Sequence, residues 1–564
     1  MLDGAISGRL VLKWLGIAIG LGLSVWLYQG YQVRRMFQQW QKQGVPMMKH
    51  HPLFGHLHLI GPLMQTLPSD CHGDYLLIMI QNNWKTLFPN CSKCPPLALV
   101  DMWPFTPPHL ISLHPNVSAQ FIQDVSRPKP PEQKRFLYPV TRNIDLSSYE
   151  EDVWKVWRKR FNPGFSPALI TAKIPELLEE VEVFVDFLLK MTPTDGSWSD
   201  ILQLEEKAID LTFDVIGRYL LGVRIHEQTK GPTPLKDGLT DSLRRVRFYT
   251  NIGNIWLQLN PYRWFKFRSN RIKMDSVLMP ILTSRVNHIA TTRVDQNQFL
   301  QLAVKSLQDE GPGKIDYEAF VLNALGHTKF FLWAGHDTTA ATTCWMLWLL
   351  IRNPTALAKL RAELDAVLGS SAAASLRSNP HLSNSLVYTT AVIKESLRLQ
   401  TNVGTMRHGG ADFTIYGPAD SEWAGQPFPT TDCVLWDGTW AIHQNPQFWH
   451  RADEFLPERW LVTDETDPLY PGVKHSFRAF ENGPRDCIGQ FLAVTELKLV
   501  LAMVAREFEF AEDWEGWDAK MGRKKKDVVF GERAYQIHEP GTEGPPHFKD
   551  GFPVRVRRRV EKGV

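Results

Sequence analysis

One cysteine of this chain lies in a short loop that could support metal chemistry. Cys487 stands between Gly483 and Gly489, and Arg485 precedes it by two residues. Glycines permit tight or left-handed turns and let the backbone approach a flat ligand, while the arginine brings a fixed positive charge close to the sulfur. Because a thiolate is a good metal ligand, the loop predicts a thiolate site. A buried structural cysteine in a glycine-rich turn is the alternative interpretation.

A second group of small and polar residues interrupts an apolar stretch. Asp337 and Thr338 follow Gly335 in the middle of a run of large apolar side chains. Buried polar groups need a partner or a function. The threonine hydroxyl could hydrogen-bond dioxygen on a metal, the aspartate could pass protons to it, and the small residue lets a planar ligand reach the backbone. Alternatively, Thr338 bonds the carbonyl one turn earlier and bends the helix.

The segment around this acid and alcohol predicts one long helix. Asp316 is a suitable N-cap, and no proline interrupts the chain from there to Arg352, just before Pro354. Such a helix would be about 54 Å long at the usual rise per residue, so it must cross the whole protein. A shorter helix over 151–160 is also predicted, and the prolines within 97–114 predict strand, turn and strand.

Two further pairs of residues have helical spacing. Trp154 and Arg158 are four residues apart and therefore lie on one face of the shorter helix. Glu395 and Arg398 are three apart and can form a forked ion pair. Surface charge pairs of this kind are common, so the spacing alone assigns no function to either pair.

Five motifs resemble those of the cytochrome P450 family of haem-thiolate monooxygenases and occur in the same order. They are W-x-x-x-R at Trp154, A-G-x-D-T-T at Ala334, E-x-x-R at Glu395, P-E-R-W at Pro457 and F-x-x-G-x-R-x-C-x-G at Phe480. The resemblance covers nearly all of the chain from Pro46 onward. It implies the P450-like fold, mainly α with a small β-rich region. The sequences of the cysteine loop and of the tail at Pro553 are similar to those of microsomal members from filamentous fungi, which tailor secondary metabolites.

The resemblance also implies a role for each motif residue. Cys487 would bind the iron of haem b, and Asp337 and Thr338 would be catalytic. The residues expected to contact the haem are Trp154, Arg158, Gly335, Arg407, Phe480, Gly483, Arg485 and Gly489. The residues expected to form a structural lock are Glu395, Arg398 and Arg459. His336 is expected to be structural or solvent-facing, because a second strong ligand on the iron would block oxygen.

The implied activity is insertion of one atom of O2 into a lipophilic small molecule, by hydroxylation, epoxidation or desaturation, in fungal secondary metabolism. Electrons would come from NADPH through a separate NADPH-cytochrome reductase, with cytochrome b5 as a further candidate donor. The alternatives are a fatty-acid, alkane or xenobiotic hydroxylase, a haem-thiolate isomerase or dehydratase, and a non-catalytic haem sensor or electron carrier. The acid and alcohol favour monooxygenation, since the last two classes need no proton relay.

The N-terminal residues predict attachment to a membrane. The run from Leu10 to Tyr28 is apolar apart from Lys13 and, as a helix, spans about 28 Å, close to the thickness of the hydrocarbon layer. Basic residues follow it and favour a body in the cytoplasm. We expect a single-pass anchor over 1–30, a basic and proline-bearing hinge over 31–55, and one haem-binding catalytic domain over 56–564, on the endoplasmic reticulum membrane. A cleaved signal peptide is the alternative.

Composition agrees with one large body. The 564 residues are 43% hydrophobic and include 20 Trp and 30 Phe, which is ample for an extensive core and an apolar cavity. Six scattered cysteines are too few for a disulfide framework, so a reducing compartment is expected. A formal net charge of +3 gives no support to nucleic-acid binding.

Overall fold

The structure, a computed structural model, describes residues 2–247, 249, 255–291, 299–300, 302, 316–524, 526–538 and 544–559. Helices dominate, and the prediction of a mainly α fold with a small β-rich region is confirmed. The α-helices of the described part are α1 (Leu2–Lys42), α2 (Leu57–Met64), α3 (Tyr75–Asn82), α4 (Trp84–Leu87), α5 (Pro115–Ala119), α6 (Pro131–Thr141), α7 (Glu151–Phe161), α8 (Pro167–Met191), α9 (Leu204–Leu221), α10 (Glu227–Lys230), α11 (Pro234–Arg244), α12 (Ile255–Leu259), α13 (Pro261–Thr291), α14 (Tyr317–Arg352), α15 (Pro354–Leu368), α16 (Ala372–Ser378), α17 (Val387–Leu399), α18 (Thr439–His443), α19 (Gln490–Val500) and α20 (Trp514–Met521).

The strands form small sheets at the edges of the helical body. They are β1 (Leu97–Val100), β2 (His109–Ser112), β3 (Leu202–Gln203), β4 (Met406–His408), β5 (Thr414–Tyr416), β6 (Pro427–Pro429), β7 (Val434–Asp437), β8 (Phe508–Glu512), β9 (Gln536–Ile537), β10 (His547–Phe548) and β11 (Pro553–Arg558). The largest sheet has the order β1-β2-β7-β4, in which only β2 and β7 run parallel. The hairpin β1–β2 is the strand, turn and strand predicted over 97–114.

Helix α14 has the bounds that the sequence predicts. The side chain of Asp316 caps it by accepting a hydrogen bond from the amide of Ala319 at 2.9 Å. The helix runs to Arg352 because its apolar residues meet neighbours on several sides, chiefly α9, with which it shares the main hydrophobic core. The middle of α14 is thereby fixed inside the body.

Helix α1 extends further than the predicted anchor. Its apolar first part is exposed, and Leu10–Lys42 is the one helix among the described residues long and apolar enough to cross a membrane. The helix continues without a break through the first residues of the predicted hinge, to Lys42. In this second part Phe37 and Trp40 are buried, and Arg34 forms an ion pair with the buried Asp101. The second half of α1 is therefore packed against the body.

Candidate active site

The loop before α19 presents Cys487 from a tightly bonded turn. The amide of Cys487 donates to the carbonyl of Phe480 at 2.9 Å, and the amide of Asp486 donates to the carbonyl of Gly483 at 3.2 Å. Gly489 is the N-cap of α19, whose inner face lies in the main core. The sulfur is thus held at a helix N-terminus, where the helix dipole stabilises negative charge.

The surroundings of the thiol are those of the protein interior. Cys487 has accessible surface, yet burial among protein atoms raises the pKa of its thiol to about 11, against the lowering effects of the Gly489 amide and Arg158. The accessible surface therefore opens onto an internal space. A free thiol with this pKa is protonated at neutral pH, and coordination to a metal is the chemistry that removes such a proton.

The two predicted loop glycines have different roles. Gly483 has a φ of +100°, and a Cβ there would lie 2.8 Å from the carbonyl oxygen of Ile122, so both the turn and the close approach require glycine. Gly489 has an ordinary φ, and its open side faces the Cys487 sulfur, which would lie 3.9 Å from an added Cβ. Glycine at this second position keeps the space beside the sulfur clear.

Helix α7 contacts the loop through Arg158. Its guanidinium donates to the carbonyl of Asp486 at 2.7 Å and to the carboxylate of the same residue at 2.8 Å. Arg485 of the loop contacts the start of the same helix: it forms an ion pair with Glu150 at 2.5 Å and lies over the ring of Trp154, 4.9 Å from its centroid. The structure therefore brings Trp154 and Arg158 to the cysteine loop, as their shared helix face predicts.

Arg407 adds a third guanidinium and leads to a cation that the sequence analysis missed. Arg407 is fully buried on β4 and paired with Glu481, but its Nε has no hydrogen-bond partner. Lys129 lies close by. Burial, and after it the charge of Arg407, lowers the pKa of Lys129 to about 7, and no ion pair within the described residues engages its Nζ. No motif in the sequence marks this lysine, which approaches the site only through the fold.

Helix α14 keeps partial accessibility at several positions in its middle. Ala334 and Thr338, one turn apart, keep accessible surface, whereas Leu332 and Thr339 are buried. The hydroxyl of Thr338 donates to the carbonyl of Ala334 at 2.9 Å, so the helix-internal bond considered from the sequence is present. Accessible surface on a buried helix indicates that Thr338 borders an internal cavity.

Gly335 and His336, which precede Thr338 on the helix, have structural contacts of their own. A Cβ on Gly335 would lie 2.7 Å from Ile216 of α9, so this glycine permits close packing of the two helices. The predicted contact of its backbone with a planar ligand stays a prediction. His336 is buried, and its Nδ1 lies 2.7 Å from the carbonyl of Leu332. This geometry fits the structural role expected of His336 and excludes the solvent-facing one.

The predicted lock residues meet in the interior. Both nitrogens of the Arg398 fork reach the Glu395 carboxylate, at 3.0 and 2.8 Å, and Arg459 reaches the same carboxylate at 3.0 Å. Arg398 also donates to the carbonyls of His443 and Ala452, at 2.8 and 2.7 Å. All three charged side chains are buried. This network joins α17 to the chain segments that lead to the cysteine loop.

The donor chemistry of the site fits a haem. A soft sulfur ligand faces an internal space, and four cations lie near it: Lys129, Arg158, Arg407 and Arg485. Their nearest counter-charges, Glu150, Glu481 and Asp486, number one fewer, and Arg407 keeps an unpartnered buried Nε. A haem carries two propionates, which such guanidinium and ammonium groups bind well.

Comparison with known proteins gives the family. The chain belongs to the cytochrome P450 family, whose model matches residues 75–538. It is 36% identical over 553 residues to the cytochrome P450 monooxygenase polC of Polytolypa hystricis, an alignment that covers 96% of this chain and 94% of that protein. It is 30% identical over 518 residues to the cytochrome P450 monooxygenase acrF of Aspergillus aculeatus, covering 87% and 98%. The predicted likeness to fungal secondary-metabolism members is thereby confirmed.

The fold is that of solved members. The crystal structure of the cytochrome P450DA haem domain aligns with a TM-score of 0.64 at 18% identity, over 91% of this chain and 96% of that domain. The protein is a P450 monooxygenase that uses haem b, O2, a small-molecule substrate and electrons from NADPH through a reductase.

Proposed function

We propose that this monooxygenase uses O2 to oxidise a lipophilic small molecule as a tailoring step of fungal secondary metabolism. It would either insert one oxygen atom, by hydroxylation or epoxidation, or remove two hydrogens, by desaturation. The observation that carries the proposal is an inward-facing thiol together with an accessible Thr338 and a buried Asp337 on an apolar helix. The relatives polC and acrF, both fungal monooxygenases by name, support it.

In this proposal Cys487 ligates the haem iron and nearby residues hold the macrocycle. The residues proposed to contact it are Lys129, Trp154, Arg158, Gly335, Arg407, Phe480, Gly483, Arg485 and Gly489. When bound, the thiolate-ligated haem activates dioxygen with two electrons from the reductase and two protons. The buried lock of Glu395, Arg398 and Arg459 keeps the cysteine loop in place.

Thr338 and Asp337 manage the protons of this reaction. A hydroxyl has one donor and two acceptor positions, so Thr338 can give a proton toward the cavity and accept another in its place. Asp337 precedes it on the helix, and its carboxyl, once protonated, supplies the replacement proton. An isomerase or dehydratase would need neither group, which is why we favour oxygen insertion.

We propose that α1 anchors the protein in the endoplasmic reticulum membrane, with the body in the cytoplasm. Arg34, Arg35 and Lys42 follow its apolar part, as the positive-inside rule requires. A second apolar surface lies on α12 and α13, formed by the exposed Trp256, Leu259, Trp264 and Phe265.

One hairpin links the two apolar surfaces. Trp103, between β1 and β2, packs against Trp26 of α1 with ring centroids 4.5 Å apart. His109 of β2 lies 2.9 Å from the hydroxyl of Tyr249, shortly before α12. We infer that both surfaces face lipid at the same end of the protein.

We propose that redox partners dock on the exposed face of α7. Lys155 and Lys159 are exposed on α7, the helix that carries Arg158, and would attract an acidic reductase. Cytochrome b5 is proposed as a second electron donor at the same surface.

The test is expression of the full chain with a NADPH-dependent reductase in a fungal host under ¹⁸O2. A metabolite that appears only with the protein and carries one ¹⁸O atom is expected, or, for desaturation, a metabolite lacking two hydrogens. Membranes carrying Cys487→Ala serve as the control. A product that forms without oxygen consumption would overturn the proposal.

A further inference from the structure

We propose that His547, in the C-terminal part of the chain, is a positioning residue that holds Asp337 ready to deliver protons. Its Nε2 lies 3.4 Å from Oδ1 of Asp337, and its Nδ1 lies 3.5 Å from Oε1 of Glu205. The inference rests on the proposed function, in which Asp337 carries protons to Thr338. It extends that function to a residue far away in the sequence.

Three different elements hold this arrangement. Asp337 is on α14, Glu205 begins the first turn of α9, and His547 opens β10, where it pairs with Ile537 of β9. The amide of Phe548 donates to the Glu205 carboxylate at 2.9 Å, so the histidine and the glutamate keep their separation. The side chains of Asp337, His547 and Glu205 are 12%, 10% and 6% exposed. Bulk water therefore does not compete strongly for these contacts.

The chemistry of the ring explains why two carboxylates matter. A neutral imidazole has one N–H, whereas an imidazolium has one on each nitrogen. With a carboxylate opposite each nitrogen, the imidazolium presents an N–H to each of them, while a neutral ring leaves one carboxylate facing a lone pair. A buried acid such as Asp337 also needs a partner that holds its orientation. Protonated His547 meets this need, and its own charge is balanced by Glu205.

Burial keeps the other histidines around this cluster uncharged. Burial, followed by repulsion from His72, lowers the pKa of His538 to about 4, and burial lowers that of His72 to about 4. Burial likewise lowers the pKa of His336, beside Asp337. These three histidines are uncharged at neutral pH. Two further charged groups stand at the edge of the cluster: Asp74 beside His538 and Lys236 near His336.

The test uses the full-length holoprotein with a reductase and NADPH but no added substrate, so that it needs no knowledge of the substrate. Oxygen is then reduced either to peroxide, O2 + NADPH + H⁺ → H2O2 + NADP⁺, or to water, O2 + 2 NADPH + 2 H⁺ → 2 H2O + 2 NADP⁺. The second route needs protons delivered inside the cavity. For His547→Gln we expect the ratio of peroxide to water to rise about tenfold, since a positioned proton donor contributes at least that much.

The pH profile separates positioning from simple structural damage. In the unaltered protein the peroxide share should rise with pH as the imidazolium is lost, whereas in His547→Gln it should be high and independent of pH. The matched control is His538→Gln, next to the partner strand, which does not contact Asp337. A readout without turnover is the infrared carboxylate band that Asp337→Asn removes, and it should shift in His547→Gln.

Each outcome has one meaning. A normal peroxide share and an unshifted infrared band in His547→Gln would overturn the inference. If His547→Gln failed to take up haem, Glu205→Gln would decide instead, because the amide oxygen still accepts from Phe548 and only the charge is lost. Its pH profile must then move to lower pH, and an unmoved profile refutes the inference. A normal peroxide share in Asp337→Asn would refute the proposed function itself.

Discussion

Arg158 donates two hydrogen bonds to Asp486, the residue that precedes the proposed sulfur ligand, at 2.7 Å to its carbonyl and 2.8 Å to its carboxylate. Helix α7 thereby fixes the backbone of the cysteine loop, and the guanidinium charge lowers the pKa of the thiol, although burial outweighs it. The same residue acts on both the position and the ionisation of the sulfur.

Replacing this arginine should therefore reduce haem uptake. In Arg158→Gln the loop should lose about 1–3 kcal/mol of stabilisation, the usual cost of an unmade hydrogen bond to a charged group. The ratio of haem to protein in purified samples measures the effect. The exposed Lys155→Gln on the same helix is the control and should load normally.

Cys487→Ala should remove the thiolate spectrum of the reduced carbon monoxide complex. No other described cysteine stands at a comparable loop before a helix, so none can replace it. Difference spectra of Cys487→Ala and of the half-buried Cys91→Ala make the comparison. A strongly red-shifted band that persists in the first variant would remove Cys487 from the site.

Thr338→Ala should uncouple oxygen consumption from product formation while the fold survives. Alanine is the better helix former, and only a bond to the carbonyl of Ala334 is lost. Thr343 is the matched control, since its hydroxyl makes the same bond to Thr339, at 2.9 Å, but is buried. Product and peroxide per NADPH are measured in both variants. Equal coupling in Thr338→Ala and the unaltered protein would favour the helix-bending interpretation.

Glu395→Gln should destabilise the protein much more than Glu458→Gln in the P-E-R-W motif. Two buried guanidinium groups, from Arg398 and Arg459, would share one uncharged amide, and breaking a buried ion pair costs about 3–5 kcal/mol. Glu458→Gln removes a pair with Lys359 that is partly exposed, worth about 1 kcal/mol at most. Thermal unfolding of the haem-loaded proteins gives the two values. Equal losses would show that the lock contributes little.

Two truncations should separate membrane attachment from stability. Removal of residues 1–25 takes away most of the exposed apolar part of α1 and should weaken membrane attachment with haem binding intact. Removal of residues 1–42 also removes Arg34. Burial alone would raise the pKa of Asp101, but hydrogen bonds from His50 and Arg34 lower it.

Because the pKa of Asp101 is lowered, the effect of the longer truncation on stability should depend on pH. Stability from an aspartate with a lowered pKa is present above its unfolded value, so the loss should be greatest near neutral pH and should shrink as the pH falls. Thermal unfolding of both truncated proteins between pH 4 and pH 7 provides the check. At the upper end of this range the longer truncation should be less stable than the shorter one by about 3 kcal/mol. A constant difference across this range would contradict the role given to Arg34.

Local signals made α14 and the cysteine loop predictable from the sequence. The N-cap Asp316 and the next proline, Pro354, bound the helix, and the glycines bound the loop. The packing of Gly335 against Ile216 was not predictable, because which side of a buried helix meets a neighbour depends on where α9 packs. The helical part of the predicted hinge was missed because the basic residues there were taken for a connector, whereas Pro46 and Pro52 stand only beyond Lys42.

Contacts between distant parts of the chain explain the remaining omissions. Lys129 precedes α6, yet its charge interacts with that of Arg407 on β4, and His547 lies 3.4 Å from Asp337, which belongs to a distant part of the chain. Neither residue belongs to a motif, and neither has local spacing that predicts its partner. Such pairs are products of tertiary structure and cannot be inferred from periodicity.

Because α1 is one continuous helix, its apolar part is joined to the catalytic body by a rigid connection and not by a flexible linker. The residues that would cross the bilayer and the buried Phe37 and Trp40 belong to one helix, and Arg34 joins that helix to Asp101. A tilt or rotation of the helix in the lipid must therefore turn the whole catalytic body with it. Bilayer thickness, which sets the tilt of a spanning helix, would then also set the angle at which the catalytic body meets the membrane surface.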